Sequence, residues 1–318
     1  MKVWLAVAAI IAIAVGAIVA LLVDPHLWRP RHPVSGQAAH TIVFPHPRRT
    51  PPPRRPRFTL RPPPRHLPVH VAFARPPKAG ILFDMGSGRV LWQRDAGARL
   101  PIASLTKMLT ALIIAKRDGP RERVLITKHT LAYEGSGIGV LRRGERVPLR
   151  DLFAGLLLVS GNDAAIALAE HDSGTVPDFV HRMNRWARRL GLRCSHFSTP
   201  SGIVDRHNHS CPRDLAALAR ADLATPRIRR IVGERHARFR FPVKGGYLDL
   251  YNNNPFVIEG MRGITGVKTG YTLAAGRCYV ITQRRGGHEL GVVLLNTPNP
   301  LDQVPALLRA GAHAERRG

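Results

Sequence analysis

Lysine is scarce in this chain. Of its 48 basic residues only seven are Lys and 41 are Arg, so nearly all positive charge is carried by a group that stays protonated. Each retained lysine is informative, because an amine can serve as a base once burial or a second cation strips its proton. Acids are few as well. The 21 Asp and Glu leave a formal net charge of +27, which points to an anionic partner or surface such as lipid headgroups, wall polymers or nucleic acid. Three cysteines without C-x-x-C spacing argue against a zinc or Cys-based redox site. The 15 histidines are scattered, and His207-Asn208-His209 has no obvious third ligand, so it reads as a solvated loop and no metal is expected. There is no internal repeat.

What is present falls into three zones. Val3 to Val23 is an unbroken apolar run of 21 residues, about 31 Å as a helix and enough for a bilayer core. No small-residue cleavage site follows, so an uncleaved anchor is favoured over a signal peptide, and the remainder is placed outside the cytoplasm. Residues 24–78 hold 15 of the 27 prolines and a net charge of about +10, from eleven Lys/Arg against one Asp. Such a segment reads as an extended, self-repelling tether able to touch anionic membrane or wall polymer. Its few aromatics, Trp28, Phe44, Phe58 and Phe73, are a poor stacking platform, and no nucleic-acid motif is present.

From residue 79 the pattern is that of a folded domain running to 318. A hairpin, 80–84 and 89–93, precedes a run of helices: one after Ser104, then 148–159, one from 163, 176–190 and 212–223, the last stopped by Pro226. Phe179, Met183, Trp186 and Leu190 share a face and read as core. Five strands follow near 237–243, 246–251, 264–269, 277–284 and 289–296, then a helix at 301–310. Strand, helices, strands, helix predicts an α+β fold, a mostly antiparallel sheet flanked by helices with a helical subdomain.

Three short motifs carry the chemistry. In Pro101-Ile102-Ala103-Ser104-Leu105-Thr106-Lys107, Ser104 and Lys107 stand three apart at a helix start, so hydroxyl and amine share a face, a nucleophile beside its base. Ser160-Gly161-Asn162 lies between two helices, where Gly161 permits a sharp turn into a cleft. Lys268-Thr269-Gly270 ends a predicted strand. Each alone is an ordinary cap, turn or strand end; the three in this order are shared by β-lactamases and penicillin-binding proteins.

With Gly155 to Ala165, Thr199-Pro200-Ser201-Gly202 and Gly266 to Thr272, the chain from about residue 79 to 296 resembles the low-molecular-mass penicillin-binding proteins, serine D-alanyl-D-alanine carboxypeptidases. The resemblance implies a β-lactamase/transpeptidase-like fold with its site between sheet and helical subdomain, and no cofactor. It implies that Ser104 attacks the carbonyl between two terminal D-alanines of a peptidoglycan stem peptide and that Lys107 takes its proton. Ser160 would relay that proton to the leaving amine. Asn162, Lys268, Thr269 and Gly270 would bind the substrate, and the backbone N–H groups of Ser104 and Tyr271 would form the oxyanion hole. β-Lactams would be covalent inhibitors, and the location a bacterial cell envelope.

The nearest rival is a serine β-lactamase. Class A enzymes add a Glu-x-x-x-Asn element, and of Glu170, Glu234 and Glu259, the glutamates between Asn162 and Lys268, none has Asn four residues on. A transpeptidase or endopeptidase uses the same residues. A non-catalytic binder of anionic wall polymer is the rival from another class. Cys194 and Cys211 flank Thr199–Gly202, and an exported location would allow a disulfide there; two separate buried thiols are the alternative. Cys278 reads as a small buried apolar residue.

Overall fold

The computed structural model describes residues 57–203 and 207–317. The apolar run at 3–23 and the first part of the expected tether lie outside the described residues. Among the described residues no helix is long and apolar enough to cross a membrane.

A five-stranded sheet forms the frame. Its strands are β1 (Ala79–Asp84), β2 (Val90–Arg94), β3 (Ile264–Thr272), β4 (Gly276–Arg285) and β5 (His288–Leu295). They lie in the order β2-β1-β5-β4-β3 with every neighbour antiparallel. In sequence β1 reads Ile81-Leu82-Phe83 without alternation, and all three are fully buried. A strand apolar on both faces must be covered on both. The pleat sends Ile81, Phe83, Val280 and Val293 to one core and Leu82, Ile281, Val292 and Leu294 to a second. The C-terminal helix Pro300–Glu315 caps the second core with Val304, Leu307 and Leu308.

The first core merges into the helical region. Its centre is α1 (Lys107–Arg117), in which every residue from Lys107 to Ile114 is buried. A helix without a polar face has to be surrounded, and α1 is enclosed by α2 (Leu149–Leu157), α3 (Asn162–Ser173), α4 (Val176–Leu190), α5 (Pro212–Leu223) and α6 (Pro226–Val232). On α4 the periodicity holds: Phe179 and Met183 are fully buried, with Trp186 and Leu190 half-buried against the same core.

Three expectations need correction. Pro226 does not merely end a helix; it occupies the first turn of α6, where a missing N–H costs nothing. His207–His209 is not simply a solvated loop, since Asn208 is fully buried and His209-Ser210 pairs with Leu100-Pro101 as a short antiparallel ladder. The segment read as tether up to residue 78 joins the folded unit earlier. Arg61 N donates to Gly88 O at 2.9 Å, Val69 N to Leu91 O at 3.2 Å, and Arg220 Nη1 to Phe58 O at 2.9 Å. Leu60 and Val69 are buried there. Proline-rich chain builds no core of its own, but it can lay two apolar side chains on an existing one.

Candidate active site

The edge strand β3 runs past the turn that opens α1, and this juxtaposition creates the site. Ala103–Thr106 forms a 3₁₀ turn, so Ser104 sits just before α1 rather than on it. Ala103 is held at φ 47°, unusual for a residue with a side chain. Close approach of the strand depends on Gly270, where an added Cβ would lie 2.9 Å from Ser104 N.

Lys107 is fully buried and touches three oxygens. Its Nζ lies 3.0 Å from Ser104 Oγ, 2.6 Å from Asn162 Oδ1 and 2.8 Å from Ser201 O. A neutral amine has two hydrogens and one lone pair. The amide and backbone oxygens can only accept, so they take both hydrogens, and the lone pair is left for the Ser104 hydroxyl. The Asn162 amide is fixed in turn, its Nδ2 donating to Glu134 O at 2.5 Å.

Burial, then the charge of Lys268, push the Lys107 amine well below its ordinary value, against a smaller upward pull from Asp163. Lys268 is itself buried and lowered to about 7 by desolvation; its Nζ donates to Thr269 O at 3.0 Å. Thr269 Oγ1 donates to Asn253 Oδ1 at 3.2 Å. Ser160 is buried with φ 62°, and its Oγ has no hydrogen-bond partner among the described residues.

A cleft of ≈ 270 Å³ is lined by Ser104, Ser160, Thr269, Gly270 and Tyr271, joined by Ser136, Asn253, Arg277 and Tyr279, whereas Lys107, Asn162 and Lys268 are buried and are not among its lining residues. The three motifs thus converge, and the strand bearing Lys268 continues to Thr272, beyond its expected end. The last four lining residues were not expected from sequence. Ser136 lies in the glycine-rich stretch after α1, whereas nothing marks Asn253, Arg277 or Tyr279 except their place on neighbouring backbone. A wider groove of ≈ 780 Å³, lined by residues such as Arg150, Arg227 and Phe239, contains none of the motif residues.

Two other clusters could suggest metal. The Cys194 and Cys211 sulfurs are joined as a disulfide, which removes them as ligands beside Asp214. Glu122 is engaged by His171 Nε2 at 2.6 Å and by the Gly119 N–H, so its cluster with Asp118 is a surface ion pair. Cys278 is buried, its Sγ 3.6 Å from Ala275 O.

The profile of the D-alanyl-D-alanine carboxypeptidase family matches residues 72–299. The chain belongs to this family. It is 30% identical over 231 residues to D-alanyl-D-alanine carboxypeptidase DacF of Bacillus subtilis, covering 71% of this chain and 59% of that protein. To DacB2 of Mycobacterium tuberculosis it is 35% identical over 244 residues, covering 74% and 82%. The chain therefore spans little more than half the length of several curated members, 53% for DacA of Escherichia coli K12. Among solved structures, a D-alanyl-D-alanine carboxypeptidase from M. tuberculosis superposes with TM-score 0.72 at 32% identity, covering 79% of this chain and 95% of that one. A mutant of the Streptomyces K15 DD-transpeptidase gives 0.70 at 28%, covering 76% and 100%. The fold is that of the DD-peptidases, as the order of motifs implied.

Proposed function

We propose that the chain is a serine-type D-alanyl-D-alanine carboxypeptidase that removes the terminal D-alanine from peptidoglycan pentapeptides. The observation that carries this is the Lys107 Nζ lying 3.0 Å from the Ser104 hydroxyl, in a site whose burial and second cation push the amine well below its ordinary value. As the Ser104 oxygen bonds to the carbonyl carbon between the two D-alanines, its proton passes to Lys107. The backbone N–H groups of Ser104 and Tyr271 hold the oxyanion, each worth about 3 kcal/mol. Collapse breaks the C–N bond. The Ser160 hydroxyl, without a partner among the described residues, hands the nitrogen a proton drawn from Lys107, and free D-alanine leaves. Water then attacks the ester, its proton returns to Ser104, and a shortened peptide with a new carboxylate departs.

Lys268 and Thr269 grip the substrate carboxylate, Asn162 positions the peptide as well as Lys107, and Gly270 lets the strand lie close enough for both. A β-lactam enters the same route and stops at the acyl-enzyme. Rapid turnover of that adduct is not expected. Glu170 accepts from the Thr127 hydroxyl at 2.8 Å and pairs with His129 at 2.8 Å, so it is committed elsewhere. Attack on the same acyl-enzyme by an amine instead of water would be transpeptidation, a reading supported by the likeness to the Streptomyces enzyme over that protein's whole length.

The substrate places the work in the bacterial envelope. The run at 3–23 would anchor or export the chain, and the basic residues of 24–56 would meet anionic membrane or wall polymer. Protease protection of the domain in intact cells would contradict export. D-Alanine release from a pentapeptide tests the activity: wild type should release it and Ser104→Ala should not.

A further inference from the structure

The turn that presents Ser104 is held from outside by a residue with no part in the steps above. Ala103 O accepts a hydrogen bond from Thr106 Oγ1 at 2.8 Å, and Thr106 Oγ1 accepts one from Asn208 Nδ2 at 2.7 Å. Ala103, Thr106 and Asn208 are all fully buried. We propose that Asn208 is a positioning residue for the nucleophile, acting through Thr106 to fix the Ala103–Ser104 turn.

The direction of the bonds is set by hydrogen counting. Thr106 has one hydroxyl hydrogen, and Ala103 O can only accept it, so the third group must be a donor. An amide N–H supplies that; a carboxylate of the same shape would compete for the hydrogen and release Ala103. The need for such a brace is visible in the backbone. Ala103 at φ 47° is in the left-handed region, which an L-residue occupies only where its surroundings over-determine it.

Asn208 is also well placed to brace something. His209 and Ser210 pair with Pro101 and Leu100 on the approach to the turn. His209 N donates to His196 O at 3.0 Å, the Ser195 and Ser210 hydroxyls lie 2.8 Å apart, and Cys211 is bonded to Cys194. Three residues from the disulfide, the amide is carried on backbone tied on two sides. The same region reaches the site twice more, through Pro200 O on the Thr110 hydroxyl at 2.7 Å and Ser201 O on Lys107.

The inference rests on Ser104 being the nucleophile, and the test separates the two. Acylation of the purified full chain by a fluorescent penicillin is followed rapidly enough to resolve the binding constant from the acylation rate constant. Asn208→Leu and Asn208→Asp should each lower the acylation constant about tenfold to a hundredfold, the scale set by misplacing a reacting group by up to an ångström. In Asn208→Leu, binding and the pH of the acid limb should stay within experimental scatter. Thr106→Val should lose as much, Thr106→Ser should recover most of it, and adding Asn208→Leu to Thr106→Val should cost nothing further. Wild-type acylation per folded molecule in the Asn208 variants would overturn the proposal, as would losses that multiply in the double variant. If the Asn208 variants do not fold, equal rates for Thr106→Val and Thr106→Ser overturn it. A wild-type chain that never acylates overturns the reading of Ser104 itself, and the brace with it.

Discussion

Lys268 lowers the proton affinity of Lys107. Both side chains are buried, and the charge of the first adds to desolvation in keeping the second neutral. Two buried lysines that feel each other's charge are costly, and the cost falls on the protonated form, which is the form that cannot act as a base.

The pH dependence of acylation follows. In the proposed mechanism the reactive form has neutral Lys107 and charged Lys268, so the rate rises with pH through the Lys107 value and falls again as Lys268, lowered to about 7, loses its charge. In Lys268→Ala the cation is gone, Lys107 holds its proton to higher pH, and the acid limb should move up. The maximal rate should also fall and the alkaline limb should disappear, because the proposed partner of the substrate carboxylate is lost. Acylation by a penicillin between pH 5 and 10 reads both. A limb that stays in place, or moves down, contradicts the coupling.

Asp222 is fully buried on α5, neither carboxylate oxygen has a partner among the described residues, and burial raises it well above 3.8. Above pH 3.8 the unfolded chain gives up this proton while the folded chain keeps it, so stability falls as pH rises toward the folded value. Asn cannot ionise. Asp222→Asn should therefore be more stable than wild type at neutral pH, with the gap growing from pH 4 by about 1.4 kcal/mol per unit until the folded group titrates. Denaturant unfolding at pH 4 and pH 7 checks this; a constant gap counts against it.

The Cys194–Cys211 bridge closes a span of 17 residues. Constraint of the unfolded chain by a loop of that size is worth roughly 3 kcal/mol. Reduction should lower the melting temperature by several degrees, and alkylation under denaturing conditions should trap the two thiols only after reduction. Equal melting with and without a dithiol would show that the bridge adds nothing.

Gly202 has φ 79°, and a Cβ there would sit 2.0 Å from Ala103 O. Neither the backbone angle nor the space admits a side chain. Gly202→Ala should push the Ser104 turn aside, lowering acylation about a hundredfold while far-UV circular dichroism stays near wild type. Unchanged acylation would mean that the turn tolerates displacement.

Much of this was legible from local pattern. The apolar periodicity of α4, the 286–287 turn between β4 and β5 and the three motifs each predicted their neighbourhood, because helix faces, tight turns and paired functional groups are written over a few residues. The contacts that bring the neighbourhoods together were not. Asn208 reads as part of a polar surface loop, yet its amide finds Thr106 across 102 positions. Ser201 contributes a backbone carbonyl, which every residue has, so its own identity carries no signal. Arg277 lines the cleft through its place on β4, in register with Tyr271. The segment from 57 to 78 shows the opposite error: proline and charge hid the two apolar residues, Leu60 and Val69, that dock it.

The central claim is that Ser104 becomes covalently acylated with Lys107 as its base. Mass analysis of the tryptic digest after brief exposure to benzylpenicillin tests it most directly, since cleavage after Arg99 and Lys107 isolates residues 100–107. The peptide should carry the added mass of one intact penicillin on Ser104 in wild type and none in Ser104→Ala; in Lys107→Met, where the tryptic peptide runs on to Lys116, the 100–116 peptide should likewise carry none. An unmodified 100–107 peptide in wild type, or an adduct on any other residue, would contradict the account.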